Sequence, residues 1–544
     1  MSERITPADQ SAPPVVATPD AHDIDAADSA PGGRPTSRLR AALGRLWDER
    51  LLGFTGAIVL ALAWGLLAAW LTPRGPLTTG EALSSMVISL AIGAAAGFLT
   101  RSRSMMLIAP VAFAVAFEVG RLDLSGPMVD GVQVSFYGLI ALITGRGFHA
   151  LLSLLWIALG AYVGYAIAQA IAAGPGAQGT RSRVGTYGPW AAIALIAIAF
   201  AGLFAVVAQP ASTDPIVNED GNVVPGSVAE LTTIDVNGHD LALMIRGHDV
   251  DNPVLLFLAG GPGGSEMGSM RNHLSGLEEH LTVVTWDQRG AGTSYPELDP
   301  TDTITPEGYL DDTIVVTDYL RERFDEDRIY LLGQSWGTTL GIWAIQEAPE
   351  RYHAYIGTGQ MVSQRETDRI FYRDTLAWAR ENGDDALAEE LEAIGPPPYE
   401  RMLDYETSNS HEMSVYPYDH SVNSEGEAQM SENIIADEYT LIDEVHLLGA
   451  FVDTFAALYP QLQDIDFRET ATEFEVPVFF AQGAHEADGR AELFAEWYSM
   501  IDAPIKELVT LETSGHRPLF EQPDEFVEFM VDTVLARTAP SAAA

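Results

Sequence analysis

Ser335 stands between two glycines in Gly333-Gln334-Ser335-Trp336-Gly337, where the apolar run Ile329 to Gly333 gives way to a helical run from Gly337 to Glu347. A Gly-x-Ser-x-Gly segment at a strand-to-helix junction permits a sharp turn that lifts the serine above the end of the strand. A serine hydroxyl is a poor nucleophile until a base takes its proton. Among the 12 histidines, His516 is the favoured base: Ser514-Gly515-His516 follows the strand-like run Ile505 to Leu511 and precedes the helical run Asp524 to Leu535. A carboxylate that orients such a histidine belongs in the loop after Val476 to Ala481, and the chain order serine, acid, histidine is met by Glu486 or by Asp488. Upstream, Ala259-Gly260-Gly261-Pro262-Gly263-Gly264 follows the run Val254 to Leu258. Glycines there let the backbone approach a reacting carbonyl, with the amide of Trp336 as a second donor to its developing negative charge. The chemistry expected of these residues is acyl transfer from an ester or amide to Ser335 and then to water.

Positioning these groups needs short buried strands alternating with helices. Leu231 to Val236 and Leu241 to Arg246 read as a hairpin around Asn237-Gly238, a favoured two-residue turn. Leu281 to Trp286 and Ala354 to Gly357 complete the strands, with further helices near Pro306 to Phe324 and Glu486 to Ile501. The alternation predicts a mostly parallel sheet covered on both faces. Residues 361–466 carry helical stretches without a strand pattern and read as an inserted helical cap.

The first 209 residues belong to another solvent. They carry 13 Arg against 12 acidic residues, a net of +1, whereas residues 210–544 carry 17 basic against 64 acidic ones, a net of -47 that accounts for all of the chain's net charge of -46. Such an acidic excess repels phosphate backbones and excludes a nucleic-acid partner. Absence of cysteine excludes disulfides, thiol nucleophiles and zinc-thiolate sites. Residues 1–36 lack apolar periodicity and read as disordered, within a cytoplasmic tail over 1–50. Charge-free runs follow at Leu51 to Leu71, Ala82 to Thr100, Ser104 to Phe117, Gly147 to Thr180 and Val184 to Thr213. A span needs about 20 apolar helical residues, and five spans put nine Arg (34, 38, 40, 45, 50, 101, 103, 181 and 183) opposite Arg74, Arg121 and Arg146. The positive-inside bias favours that arrangement over six spans with Gly131 to Thr144 added. It predicts a membrane region at 51–209 in a multi-pass cell-membrane protein, with residues 210–544 outside the cytoplasm.

Four segments in order, namely Gly260 to Gly264, Asp287-Gln288-Arg289-Gly290-Ala291-Gly292, Gly333 to Gly337 and Ser514 to His516, resemble the α/β-hydrolase superfamily and, within it, the proline iminopeptidase-like serine peptidases. The resemblance covers about residues 230–537. It implies an α/β-hydrolase sheet with a helical cap, Ser335 as nucleophile, His516 as base, Glu486 as acid, and the amides of Gly261 and Trp336 as oxyanion donors. It further implies release of N-terminal residues, often proline, from small peptides without cofactor or metal. Ala259 stands where the family has histidine, Glu486 where it usually has aspartate, and the cap motif of paired Trp and Glu is not found. A carboxylesterase or lipid-acting esterase is the alternative enzyme, and an inactive membrane sensor of hydrolase fold the alternative of another class.

Overall fold

The computed structural model describes residues 43–45, 47–122, 134–173, 183–416 and 431–539. The N-terminal tail expected to be disordered, with Arg34, Arg38 and Arg40, lies outside the described residues, as does Arg181.

Among the described residues from Arg50 to Val207 lie five apolar helices: α1 (Arg50–Leu71), α2 (Thr79–Thr100), α3 (Met105–Gly120), α4 (Phe136–Ala173) and α5 (Arg183–Val207). Four of them are long and apolar enough to cross a membrane, α5 over Tyr187–Val207. The 16 residues of α3 rise about 24 Å at 1.5 Å per residue, short of a hydrocarbon core of about 30 Å. Helix α4 differs from the span expected over Gly147 to Thr180. Its 38 residues absorb most of the segment weighed as a sixth span, because Ser135 caps an earlier start, its Oγ accepting from the Gly138 amide at 3.0 Å, and a π-turn at Leu142–Gly147 joins the two parts. At about 57 Å it exceeds a bilayer core, and its first turns reach the C-terminal region, where the Tyr137 amide donates to Glu406 at 3.1 Å.

Small residues decide how the helices pack. A Cβ on Gly97 would lie 1.9 Å from the Ala161 carbonyl oxygen, and one on Gly164 would lie 1.9 Å from that of Ala94. Backbones of α2 and α4 therefore touch through reciprocal small-xxx-small faces, the usual means of association where lipid removes the hydrophobic drive. Gly53 of α1 faces Leu99 and Gly65 faces Phe113, so α1 runs antiparallel to α2 and parallel to α3. Trp47 stacks under Arg101 at one end of the bundle. Arg74 pairs with Asp299 and Asp453 of the C-terminal region at the other end.

Residues 228–511 are built on an eight-stranded sheet of order β1-β2-β4-β3-β5-β6-β7-β8. The strands are β1 (Val228–Val236), β2 (His239–Gly247), β3 (Val254–Leu258), β4 (Thr282–Trp286), β5 (Ile329–Gln334), β6 (Tyr352–Thr358), β7 (Val478–Gly483) and β8 (Lys506–Leu511). The first two form the expected hairpin, Asn237 and Gly238 both taking positive φ. From β4 onward all pairs are parallel. Strands β3 to β7 are buried along their whole length apart from His353, as a sheet covered on both faces requires. Helices α6 (Pro306–Phe324), α7 (Trp336–Glu347) and α10 (Asp488–Met500) belong to this alternation. Between β6 and β7 lie only helices among the described residues, including α8 (Gln364–Asn382) and α9 (Leu441–Leu458).

Candidate active site

Strand β5 runs into α7 through a single residue, Ser335, at φ 52° and ψ -118°. That left-handed backbone is sparsely populated for a residue with a side chain and marks stored strain. The turn is possible because α7 comes down on β3 with no Cβ in the way: one on Gly337 would lie 2.0 Å from the Leu258 carbonyl oxygen. Ser335 Oγ lies 2.9 Å from His516 Nε2. His516 Nδ1 lies 2.7 Å from Glu486 Oε2. These three residues are separated by 181 and 30 positions in the chain, and the C-terminal ends of β5, β7 and β8 bring them together.

Glu486 is buried, with its side chain 2% exposed. Burial alone would raise its carboxyl, but the charges of Arg490 and His516 and their hydrogen bonds outweigh it and hold the group down at about 2. Arg490 Nε donates to Glu486 Oε1 at 2.7 Å, and its other arm pairs with Glu412 from the cap. Asp488 stands two residues on, exposed at the start of α10, and the carboxylate that meets His516 is that of Glu486. Arg490 escaped the reading of the sequence. The available signal is its spacing of four from Glu486, the spacing at which opposite charges pair along a helix, although Glu486 itself precedes the first turn of α10.

The glycine loop turns back beneath Ser335. Gly261 takes φ +122°, the Gly264 amide donates to the Gly260 carbonyl at 3.1 Å, and the Gly260 amide donates to Glu266 at 3.2 Å. Gly261 shares the cavity of Ser335. Trp336 contributes differently at its two ends: its amide begins α7, where no preceding carbonyl is available within the helix, while its indole turns into the core and donates to Gln288 Oε1 at 2.9 Å. Gln288 in turn donates to the Ala259 carbonyl at 3.2 Å, tying the loop to the serine turn. Next to it Arg289 is held by Asp312 at 2.6 to 3.0 Å. The segment Asp287 to Gly292 thus acts as scaffolding under the site.

A cavity of about 350 Å³ opens over Ser335 and His516. Phe371, Phe451, Phe455 and Tyr459 from the cap give it an aromatic wall. Asp368 from α8 also lines it, accepting from the Tyr459 hydroxyl at 2.7 Å and from Gln463 at 3.1 Å. Burial pushes the Asp368 carboxyl up, to about 7, against the pull of those two hydrogen bonds. Among the described residues no group of three or more His, Asp or Glu is arranged to hold a metal.

Residues 253–393 match a family model described as the alpha/beta hydrolase fold. A probable aminopeptidase of Bacillus subtilis is 29% identical over 301 residues, covering 55% of this chain and 94% of that protein. A probable proline iminopeptidase of Leptolyngbya boryana is 32% identical over 165 residues, covering 30% of this chain and about half (48%) of that protein. Among solved structures, a proline iminopeptidase-related protein of Thermus thermophilus aligns at 20% identity and a TM-score of 0.41, over 57% of this chain and 99% of that one. With the family match and the strand order described above, the chain carries an α/β-hydrolase domain and has relatives named aminopeptidase and proline iminopeptidase.

Proposed function

We propose that the chain is a membrane-anchored serine hydrolase with Ser335 as nucleophile, His516 as base and Glu486 as orienting acid, acting as an aminopeptidase of the proline iminopeptidase type. The observation that carries this reading is the continuous hydrogen-bonded relay from Ser335 Oγ through His516 to Glu486, at 2.9 and 2.7 Å. Ser335 Oγ attacks the substrate carbonyl while His516 Nε2 takes its proton, and the amides of Gly261 and Trp336 receive the oxyanion. His516 then gives the proton to the departing amine. Water, activated by the same imidazole, releases the acyl group from Ser335. Glu486 holds the proton on Nδ1 and stabilises the imidazolium that forms.

The aminopeptidase reading is supported by the relatives' names and by Asp368. Each of its oxygens takes one donated hydrogen bond from the protein; Arg490 lines the same cavity and its charge favours the carboxylate, but its hydrogen bonds go to Glu486 and Glu412, so the carboxylate suits a substrate ammonium group. Because its carboxyl sits at about 7, the charge is missing below that pH and present above it. The expected result is a KM for aminoacyl-amides that falls as pH rises from 6 to about 7.5, before the substrate's own α-amino group loses its proton near 8, while KM for uncharged p-nitrophenyl esters stays flat. Asp368→Asn should abolish that slope and raise the aminoacyl KM roughly 10- to 100-fold, the value of a charge-assisted hydrogen bond. A preference for esters, with Asp368→Asn silent, would identify an esterase. Failure of a fluorophosphonate probe to label Ser335 in folded protein would identify an inactive sensor.

We further propose that residues 51–209 form five membrane spans, with α3 as the short one, and that residues 210–544, including the cap at 361–466, lie outside the cytoplasm. Support comes from the parallel packing of α1 and α3 and from Arg101 and Arg103 at the end remote from the hydrolase region, which the positive-inside bias assigns to the cytoplasm. Protease added to sealed spheroplasts is expected to cut or shed residues 210–544. Full protection until lysis would overturn the topology.

A further inference from the structure

The loop between α1 and α2 reaches into the hydrolase region through one buried guanidinium. Arg74, with its side chain 6% exposed, donates through Nε and Nη2 to Asp299 at 2.9 and 3.2 Å and through Nη1 to Asp453 Oδ2 at 2.5 Å. The Tyr295 hydroxyl donates to the same Asp453 oxygen at 2.8 Å. Asp453 belongs to α9, and a second contact holds that helix one turn and more upstream, His446 Nε2 to the Pro76 carbonyl at 2.9 Å. At about 100° per residue, His446 and Asp453 share one face of α9, while Phe451 and Phe455 point about 160° to 200° away from Asp453. That opposite face lines the cavity over Ser335. Between them Thr454 donates to the Gly290 carbonyl at 2.7 Å and packs against Gly263 of the glycine loop.

We propose that Arg74 is a positioning residue, through which the membrane region sets the placement of α9 and so the shape of the aromatic wall facing the nucleophile. The membrane helices are then part of the specificity apparatus as well as an anchor. Losing the Arg74 clamp removes the ion pair from the buried Asp453 and from the half-exposed Asp299 and weakens the hold on the outer face of α9, so the wall formed by Phe451 and Phe455 loosens. The Ser335, His516 and Glu486 relay stands on the sheet and keeps its geometry. The effect on turnover rests on the reading of this cavity as the substrate site; the clamp itself does not.

Two measurements on the full chain in detergent micelles separate those levels. Hydrogen exchange reads the clamp without reference to catalysis: Arg74→Gln is expected to speed exchange of amides 447–458 at least tenfold while leaving β5 unchanged. An unchanged rate over 447–458 would overturn the proposal even if activity fell. Steady-state kinetics read the consequence: KM for aminoacyl-amides with bulky side chains should rise about tenfold, with fluorophosphonate labelling of Ser335 within about threefold of wild type. Faster exchange with KM unmoved would overturn the specificity role. Should Arg74→Gln fail to fold, Asp299→Asn removes only the outer, half-exposed arm and is expected to give the same pattern at about a third of the size. Its having no effect on exchange or KM would count against the clamp. Loss of labelling in the wild-type protein bears on the proposed function alone and leaves the exchange result standing.

Discussion

Ser335→Ala is expected to lower kcat/KM on the order of 10⁴-fold or more, with the fold intact, because removal of one member of such a relay leaves only binding and oxyanion stabilisation. The substitution takes away a hydroxyl at the floor of an open cavity and no core volume. It also keeps the Cβ that the strained backbone at φ 52° already carries, so strain is unchanged. Thermal unfolding and substrate KM should stay near wild type while fluorophosphonate labelling disappears. A variant that retains more than about a tenth of the wild-type rate would show that another group performs the attack.

Glu486→Gln should cost roughly 10³- to 10⁴-fold in kcat, as a wrong-tautomer substitution does in a serine relay, and Asp488→Asn should stay within about threefold. Glu486 accepts from His516 Nδ1, from Arg490 Nε and from the Ala487 amide, so a glutamine must turn its own N–H groups toward a donor. The charge between His516 and Arg490 is also lost. Single-turnover rates decide the matter, and a larger loss for Asp488→Asn would reverse the assignment. A stability effect follows from the same carboxyl. Its folded value lies near 2, below the ordinary value of about 4.3, so its contribution is full above that ordinary value and is lost as pH falls toward 2. The glutamine variant should accordingly show a shallower acid-unfolding slope between pH 4 and 2.

Legibility of the fold varied with the range of the interactions involved. The hairpin at Asn237-Gly238 and helix α6 were readable because turn chemistry, a proline at the helix start and apolar periodicity act within a few residues. The strands β3 to β7 were readable because burial on both faces demands continuous apolar runs. Helix α4 starts at Phe136, ahead of the charge-free run that begins at Gly147. Arg146 breaks the charge-free run there, yet the helix continues because that arginine meets Glu118 of α3, a partner 28 positions away.

By itself the sequence determined the candidates for the proposed chemistry: a serine in a glycine turn, a histidine after the last strand, and two carboxylates in the loop after β7, all recognisable because each motif shapes its own few residues of backbone. Tertiary structure alone decided which carboxylate meets the histidine, since Glu486 turns inward toward Arg490 and Asp488 outward at a helix start. It also decided that Asp368 lines the cavity over Ser335 and that Arg74 reaches Asp453 across 379 positions. Those pairings depend on loops closed over long separations and on packing that excludes water, and no local pattern of residue types encodes either.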